Sequence, residues 1–328
     1  MIFLSNTSTD PYFNLASEEY LIDSFAGEDI FMLWRNAPSV IIGRNQNAYS
    51  ELDTGYAEKK GIKVVRRLTG GGAVFHDLGN VNYTFITEYD GTGALNYPKF
   101  CRPVVEAIKL LGIDACVSGR NDILADGRKI SGNAQCVRNG RVLHHGTLLW
   151  SADFSEMTGV LRPDPTKLQA KGIKSVRSRV ANLRDLLPEG KKLTKESTAL
   201  DFIGYLFGCF DGEPVGFTDE QKAAIQKLSD EKYSRWEWNF GKSGEFTARV
   251  SRRFPYGKID VGYTSDRGII TDIHIGGDFF GVGDIDEFCK KLLELRIKPE
   301  YASVLAASED VGKYISGAEP EDFAGLFI

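Results

Sequence analysis

Apolar and polar positions along this 328-residue chain change period from segment to segment, with no internal repeat. Residues 14–24 set Leu15, Glu18, Glu19 and Ile22 at helical spacing. Residues 30–34 and 39–43 predict short strands, one ending in Trp34-Arg35 and the other in Gly43-Arg44-Asn45-Gln46-Asn47, so polar residues gather at strand ends. A β-branched strand is predicted over 62–66, and Val81-Asn82-Tyr83-Thr84-Phe85-Ile86 alternates with period two, which predicts another. Residues 98–111 predict an amphipathic helix stopped at Gly112.

Asp126-Gly127 and Asn139-Gly140 are strong two-residue hairpin signals, so residues 121–150 predict a three-stranded meander. With Asp126-Gly127 as the turn, Leu124 faces Lys129 and Asp122 faces Ser131, placing Asp122, Leu124, Lys129 and Ser131 on one face. His144 and His145 then point to opposite faces and cannot chelate one metal together. A bulge near Gly132 or Gly146 would re-aim the following side chains.

Thr218-Asp219-Glu220-Gln221 has capping-box form and opens a helix through about Tyr233. Past a Gly-containing linker, residues 246–254, 257–264 and 268–275 predict antiparallel strands, and 286–295 and 302–315 predict helices. The expected domains are 1–243 and 246–328, with the boundary near 241–245, in keeping with the length.

Hydrophobic residues make up 42% and aromatic residues 11% of the chain, as in a globular protein, and the net charge of −5 argues against general nucleic-acid binding. The five cysteines are scattered without a C-x-x-C pair, which reads as reduced thiols in a cytoplasmic protein. No apolar run approaches the length needed to cross a bilayer.

The chemistry concentrates in Arg66-Arg67-Leu68-Thr69-Gly70-Gly71-Gly72-Ala73-Val74-Phe75-His76-Asp77. Glycines admit positive φ and bring a ligand close to bare N–H groups, while arginines neutralise phosphate or carboxylate oxygens. A P-loop needs Gly-Lys-Ser/Thr entering a helix and a dinucleotide fingerprint needs a strand-to-helix turn, so a strand–loop–strand anion site is expected instead. Residues 167–180 carry five basic residues and no acid, which reads as a solvated basic loop or as a flap over an anionic intermediate.

Together with Ser118-Gly119-Arg120-Asn121-Asp122, Lys129-Ile130-Ser131-Gly132 and His144-His145-Gly146-Thr147, this segment resembles the lipoate-protein ligase family. The match runs in order from Pro11-Tyr12-Phe13-Asn14 to Trp236-Glu237-Trp238. The resemblance implies an α+β fold. Its catalytic domain would have a mixed or antiparallel sheet of the biotin/lipoate ligase type, related to class II aminoacyl-tRNA synthetases, with a small C-terminal α+β accessory domain. It implies ATP-dependent activation of lipoate to lipoyl-AMP, followed by transfer to a lysine of lipoyl domains of 2-oxoacid dehydrogenase complexes or of the glycine-cleavage H protein. By the same resemblance Arg67 and the Gly72, Ala73, Val74 and Phe75 backbone contact ATP. Lys129 is the catalytic group bridging the α-phosphate and the lipoate carboxyl. Asp122 is the candidate Mg2+ ligand, and Trp34, Glu18 and His145 form the lipoate slot. A monomer with no nucleic-acid or membrane partner is expected. The alternatives are an octanoyl or lipoyl transferase using Cys136 as nucleophile and a non-catalytic lipoyl-domain-binding protein. In the simple hairpin register His145 lies on the face opposite Lys129, so that register and the shared pocket conflict unless a bulge intervenes.

Overall fold

In the computed structural model, residues 1–91, 95–161, 180–241, 246–297 and 302–327 are described. The strands ahead of the Tyr97–Leu110 helix are β1 (Ile2–Ser5), β2 (Ile30–Trp34), β3 (Ser39–Ile42), β4 (Lys63–Arg66), β5 (Val74–His76) and β6 (Asn80–Glu88). Behind it come β7 (Ala115–Ser118), β8 (Asp122–Ala125), β9 (Arg128–Arg138) and β10 (Arg141–Leu149), then β11 (Ala248–Phe254), β12 (Gly257–Asp266) and β13 (Ile269–Gly277).

A seven-stranded sheet runs β1-β2-β6-β10-β9-β8-β7, with β1 and β2 parallel and each other neighbouring pair antiparallel. Period two in β2 serves both faces: Phe31 and Leu33 pack under the Tyr97–Leu110 helix, while Ile30, Met32 and Trp34 pack with Leu15, Leu21 and Ile22 of the Pro11–Ser24 helix. Burial on both sides explains why β2 is apolar throughout instead of alternating. Each such side chain contributes roughly 1.5–3 kcal/mol of transfer free energy. Both hairpin turns take positive φ at their two central residues, Asp126 (49°) with Gly127 (70°) and Asn139 (51°) with Gly140 (71°), as a type I′ turn requires.

The glycine-rich segment is interrupted by a strand that the sequence pattern does not show. The three-residue β5 pairs antiparallel with β3, whose other edge takes β4 in parallel, giving a small β4-β3-β5 sheet. Both ends of the glycine turn are therefore held by β3.

The antiparallel β11-β12-β13 sheet builds a separate core with the Ile285–Leu292 helix, including Ile259, Ile275, Phe288 and Phe323. The expected boundary near 241–245 falls largely on residues 242–245, which lie outside the described residues. The helix expected over 218–233 ends at Leu228 and continues as a π-turn, Ser229–Tyr233, and that expected over 302–315 is two short helices, Ala302–Ala307 and Val311–Tyr314.

Candidate functional site

The two arginines ahead of the glycines do different work. Arg66 is fully buried and donates to five carbonyl oxygens, those of Gly43, Arg44 and Gln46 on one side and of Trp238 and Asn239 on the other. It is a clamp between the turn after β3 and the short Trp236–Asn239 helix. Arg67 instead embraces the glycine turn: Nη2 donates to the carbonyls of Gly70 (2.6 Å) and Gly72 (2.9 Å), Nη1 to Ile41 (3.0 Å) and Nε to Thr69 Oγ1 (2.9 Å). Burial pushes both guanidinium pKa values down to about 10, which still leaves them charged at neutral pH.

Of the three consecutive glycines only Gly71 has positive φ, at 92°. Gly70 is needed for close approach, since a Cβ there would lie 2.3 Å from the Phe279 carbonyl oxygen. The turn is thus shaped both by Arg67 and by a strand end of the C-terminal sheet.

The β8–β9 hairpin keeps the expected pairing of Leu124 with Lys129 but then shifts: Ile123 faces Ser131 and Asp122 faces Gly132. Ile130 is the extra residue of a bulge, buried in the main core. Ser131 consequently lies on the face opposite the one expected, in a fully buried position. Lys129 lies on the face of Asp122, Gly132, Ala134 and, through the pairing of Ala134 with His145, of His145 as well. The bulge removes the conflict between hairpin register and shared pocket. Lys129 Nζ and Asp122 Oδ1 form an ion pair at 2.7 Å.

A second group is a buried relay. Trp34 Nε1 donates to Thr84 Oγ1 (2.8 Å), which donates to Glu18 Oε1 (2.6 Å), and Glu18 also meets His145 Nδ1 at 2.9 Å. His145 Nε2 lies 2.8 Å from Thr69 Oγ1. Arg67 Nε donates to Thr69 Oγ1, and the acceptor-only Glu18 carboxylate places the imidazole proton on Nδ1, so in the neutral ring Nε2 accepts from the Thr69 hydroxyl. One oriented chain thus joins Trp34 to Arg67. Beside it, Asn36 Nδ2 meets His76 Nδ1 at 3.1 Å, and burial, with Arg67 and His145 nearby, pushes His76 down to about 3.

These groups line one cavity of about 390 Å³. Leu15, Trp34, Ile41, Val74 and Ala134 make one apolar part of its wall, and Arg67, Gly71, Gly72, Arg120, Asp122 and Lys129 supply polar chemistry. The structure therefore brings together Arg67, Gly72, Ala73, Val74, Asp122, Lys129, Trp34 and His145. Glu18 stands behind the wall as the anchor of His145, and the Phe75 side chain packs away from the cavity with Val40, Ile42 and Val64. Asn82 and Thr84 were missed by sequence reasoning, and Thr69 and His76, within the glycine-rich segment, were given no binding role, although Asn80, Asn82 and Thr84 form a polar run along one face of β6 in which each is buried. Such a face in a central strand is itself a site signal. Also missed were Arg253, Asp278 and Phe280, which line the cavity from the C-terminal sheet region.

Cys136 does not line this cavity. It is partly buried behind the glycine turn, beside Arg44 and Arg138, and burial pushes its thiol up to about 12. A thiol held protonated is a poor nucleophile, which counts against the transferase chemistry. Among the described residues no cluster of three or more His, Cys, Asp or Glu side chains is placed to hold a metal, and no helix is long and apolar enough to cross a membrane. The basic segment 167–179 lies outside the described residues.

Known proteins resemble this chain along most of its length. The family model "Lipoyl protein ligase A/B catalytic domain" matches residues 10–206, and "Bacterial lipoate protein ligase C-terminus" matches residues 243–327. The chain is 41% identical to lipoate-protein ligase LplJ of Bacillus subtilis over 99% of each chain. Among solved structures it is similar to P. falciparum LipL1 in complex with lipoate (TM-score 0.75, 26% identity, 94% of each chain). It is also similar to a lipoate-protein ligase A bound with ATP (TM-score 0.61, 29% identity, 73% of this chain and 98% of the other). With both family models matched in order and this identity sustained along the whole length, the chain belongs to the lipoate-protein ligase family.

Proposed function

We propose that this protein activates lipoate with ATP and then acylates a lysine of an acceptor lipoyl domain. In the first step a lipoate carboxylate oxygen bonds to the α-phosphorus, the bond from that phosphorus to the bridging oxygen breaks, and pyrophosphate leaves with the electron pair. In the second, the acceptor amine attacks the carbonyl carbon of lipoyl-AMP, AMP leaves, and the amine proton passes to solvent.

The observation that carries this reading is Lys129. Its amine, oriented by Asp122, lines the same cavity as the apolar side chains around Trp34 and the glycine turn. An amine between two reacting anions offsets their repulsion and stabilises charge developing on the phosphate. The apolar part of the wall takes the acyl tail, with Trp34 fixed by Thr84 and His145 by Glu18. Arg67, whose hydrogen bonds shape the turn, and the backbone of Gly72 to Phe75 are assigned to the nucleotide. The structures of similar proteins with lipoate and with ATP support the two ligands.

A magnesium ion bound chiefly by triphosphate oxygens fits a site offering the Asp122 carboxylate, since Mg2+ commonly takes one or two carboxylates with phosphate and water. Bound there, it would supply charge neutralisation on the phosphates. The acceptors assigned are lipoyl domains of 2-oxoacid dehydrogenase complexes and the glycine-cleavage H protein, served by a monomer.

The test is to incubate purified protein with lipoate, ATP and an apo-lipoyl domain. Pyrophosphate release together with the mass of one lipoyl group on the acceptor lysine is expected. Acceptor acylation that proceeds equally without ATP from an acyl-protein donor would contradict it.

A further inference from the structure

The cavity is not completed by the residues of the seven-stranded sheet and glycine turn. Arg253 of β11 and Asp278, just beyond β13, also line it. Their position is set by a tight docking. Gly71 N donates to the Phe279 carbonyl (3.2 Å), Gly277 N to the Asn45 carbonyl (2.9 Å) and Arg120 Nη1 to the Tyr256 carbonyl (2.9 Å). Phe280 is only 3% exposed, with the Arg120 guanidinium 4.3 Å above its ring and Tyr97 edge-on at 5.8 Å.

At the lip so formed, Arg253 Nη2 donates to Asp278 Oδ2 (3.2 Å), while Asp278 Oδ1 accepts from Lys258 N (2.6 Å). The Asp278 side chain is thus held from two sides, and its ion pair holds the Arg253 guanidinium, itself only 23% exposed, against the cavity. Arg67 spends its donors on carbonyls of the turn and Arg120 lies flat on Phe280. The cavity must nevertheless hold a carboxylate and a triphosphate if it makes an adenylate. A forked, permanently charged donor suits phosphate oxygens, and Arg253 presents one at the lip of the cavity.

We infer that Arg253 binds the β- and γ-phosphates of ATP and stabilises the departing pyrophosphate, so that the C-terminal region supplies a substrate-binding residue for adenylation. This rests on the adenylation reading above. As the bridging oxygen departs with its electron pair, negative charge grows on the pyrophosphate, and the guanidinium offsets it without giving up a proton.

The test separates the two half-reactions. In the Arg253→Gln variant, lipoate-dependent ATP–pyrophosphate exchange should show KM values for ATP and pyrophosphate raised at least tenfold. Transfer from chemically prepared lipoyl-AMP to an apo-lipoyl domain should suffer at least tenfold less than exchange does. Arg253→Lys should recover part of the exchange, because a point charge replaces a fork. Asp278→Asn keeps the acceptor for Lys258 N but loosens the guanidinium, so it should raise the same KM values by less than Arg253→Gln does. Unchanged exchange in Arg253→Gln, an equal loss in both half-reactions, or a larger rise in Asp278→Asn than in Arg253→Gln would each overturn the assignment. If wild-type protein shows no exchange at all, it is the adenylation reading that fails.

Discussion

Lys129 Nζ lies 2.7 Å from Asp122 Oδ1 across the β8–β9 pair, and the extra residue Ile130 in β9 brings Gly132, Ala134 and His145 onto the face that this pair occupies. Without that bulge Lys129 and Asp122 would still share a face, but with Ser131 and not with His145. The ion pair is more than a third exposed at both ends, so it orients the amine more than it stabilises the fold. Asp122→Asn is expected to slow pyrophosphate exchange about tenfold while shifting unfolding free energy by less than about 1 kcal/mol. Exchange kinetics and urea melts on the same sample check both halves of that statement.

Glu18 has the opposite balance. It is buried and accepts from Thr84 and His145. Glu18→Ala strands both donors, and a loss of roughly 2–4 kcal/mol is expected from two unsatisfied buried groups. The freed His145 ring should also raise the KM for lipoate. A urea midpoint equal to that of wild type would show the relay is not fixed in this way.

Gly70 touches the C-terminal region directly. A methyl group there would sit 2.3 Å from the Phe279 carbonyl oxygen, so Gly70→Ala is expected to loosen the docking of residues 277–280 at a cost of about 1–3 kcal/mol. Hydrogen exchange at the amide of Gly71, which donates to Phe279, should accelerate. Unaltered protection at that amide would count against it.

His76 gives a pH signature. Burial, reinforced by Arg67 and His145, depresses its folded-state pKa to about 3, against an ordinary value near 6.5. The native state therefore binds fewer protons. The contribution is complete above the unfolded value, falls as pH drops through it, and goes on falling until about pH 3. Between pH 7 and 5 this one group should cost about 2 kcal/mol of stability. His144, buried beside Phe100 and likewise held neutral, acts in the same direction. His76→Gln should flatten the fall measured by urea unfolding at the two pH values. An identical slope in wild type and variant would refute the assignment.

How much of this was legible in the sequence follows from the range of each interaction. The two hairpin turns were readable because Asp126-Gly127 and Asn139-Gly140 need positive φ at adjacent positions, a strictly local demand. The bulge was expected near Gly132 or Gly146 and falls at Ile130, two residues before Gly132, where the extra side chain is buried in the core below the sheet. Strand β5 was invisible because three residues carry no period and its partner, β3, lies more than thirty residues earlier. The polar face of β6 was on view in Asn80, Asn82 and Thr84, but alternation alone does not say which face is buried. Arg253, Asp278 and Phe280 reach the cavity only through the docking of the C-terminal sheet, a relationship no local pattern encodes.

The central claim is that the Lys129 amine joins carboxylate and α-phosphate during adenylation. It is tested most directly by lipoate-dependent ATP–pyrophosphate exchange in Lys129→Ala, with circular dichroism and a urea melt confirming the fold. Exchange should fall at least about a thousandfold, equivalent to roughly 4 kcal/mol of lost transition-state stabilisation, while the melt stays within about 1 kcal/mol of wild type. A folded variant that exchanges at the wild-type rate would contradict the claim.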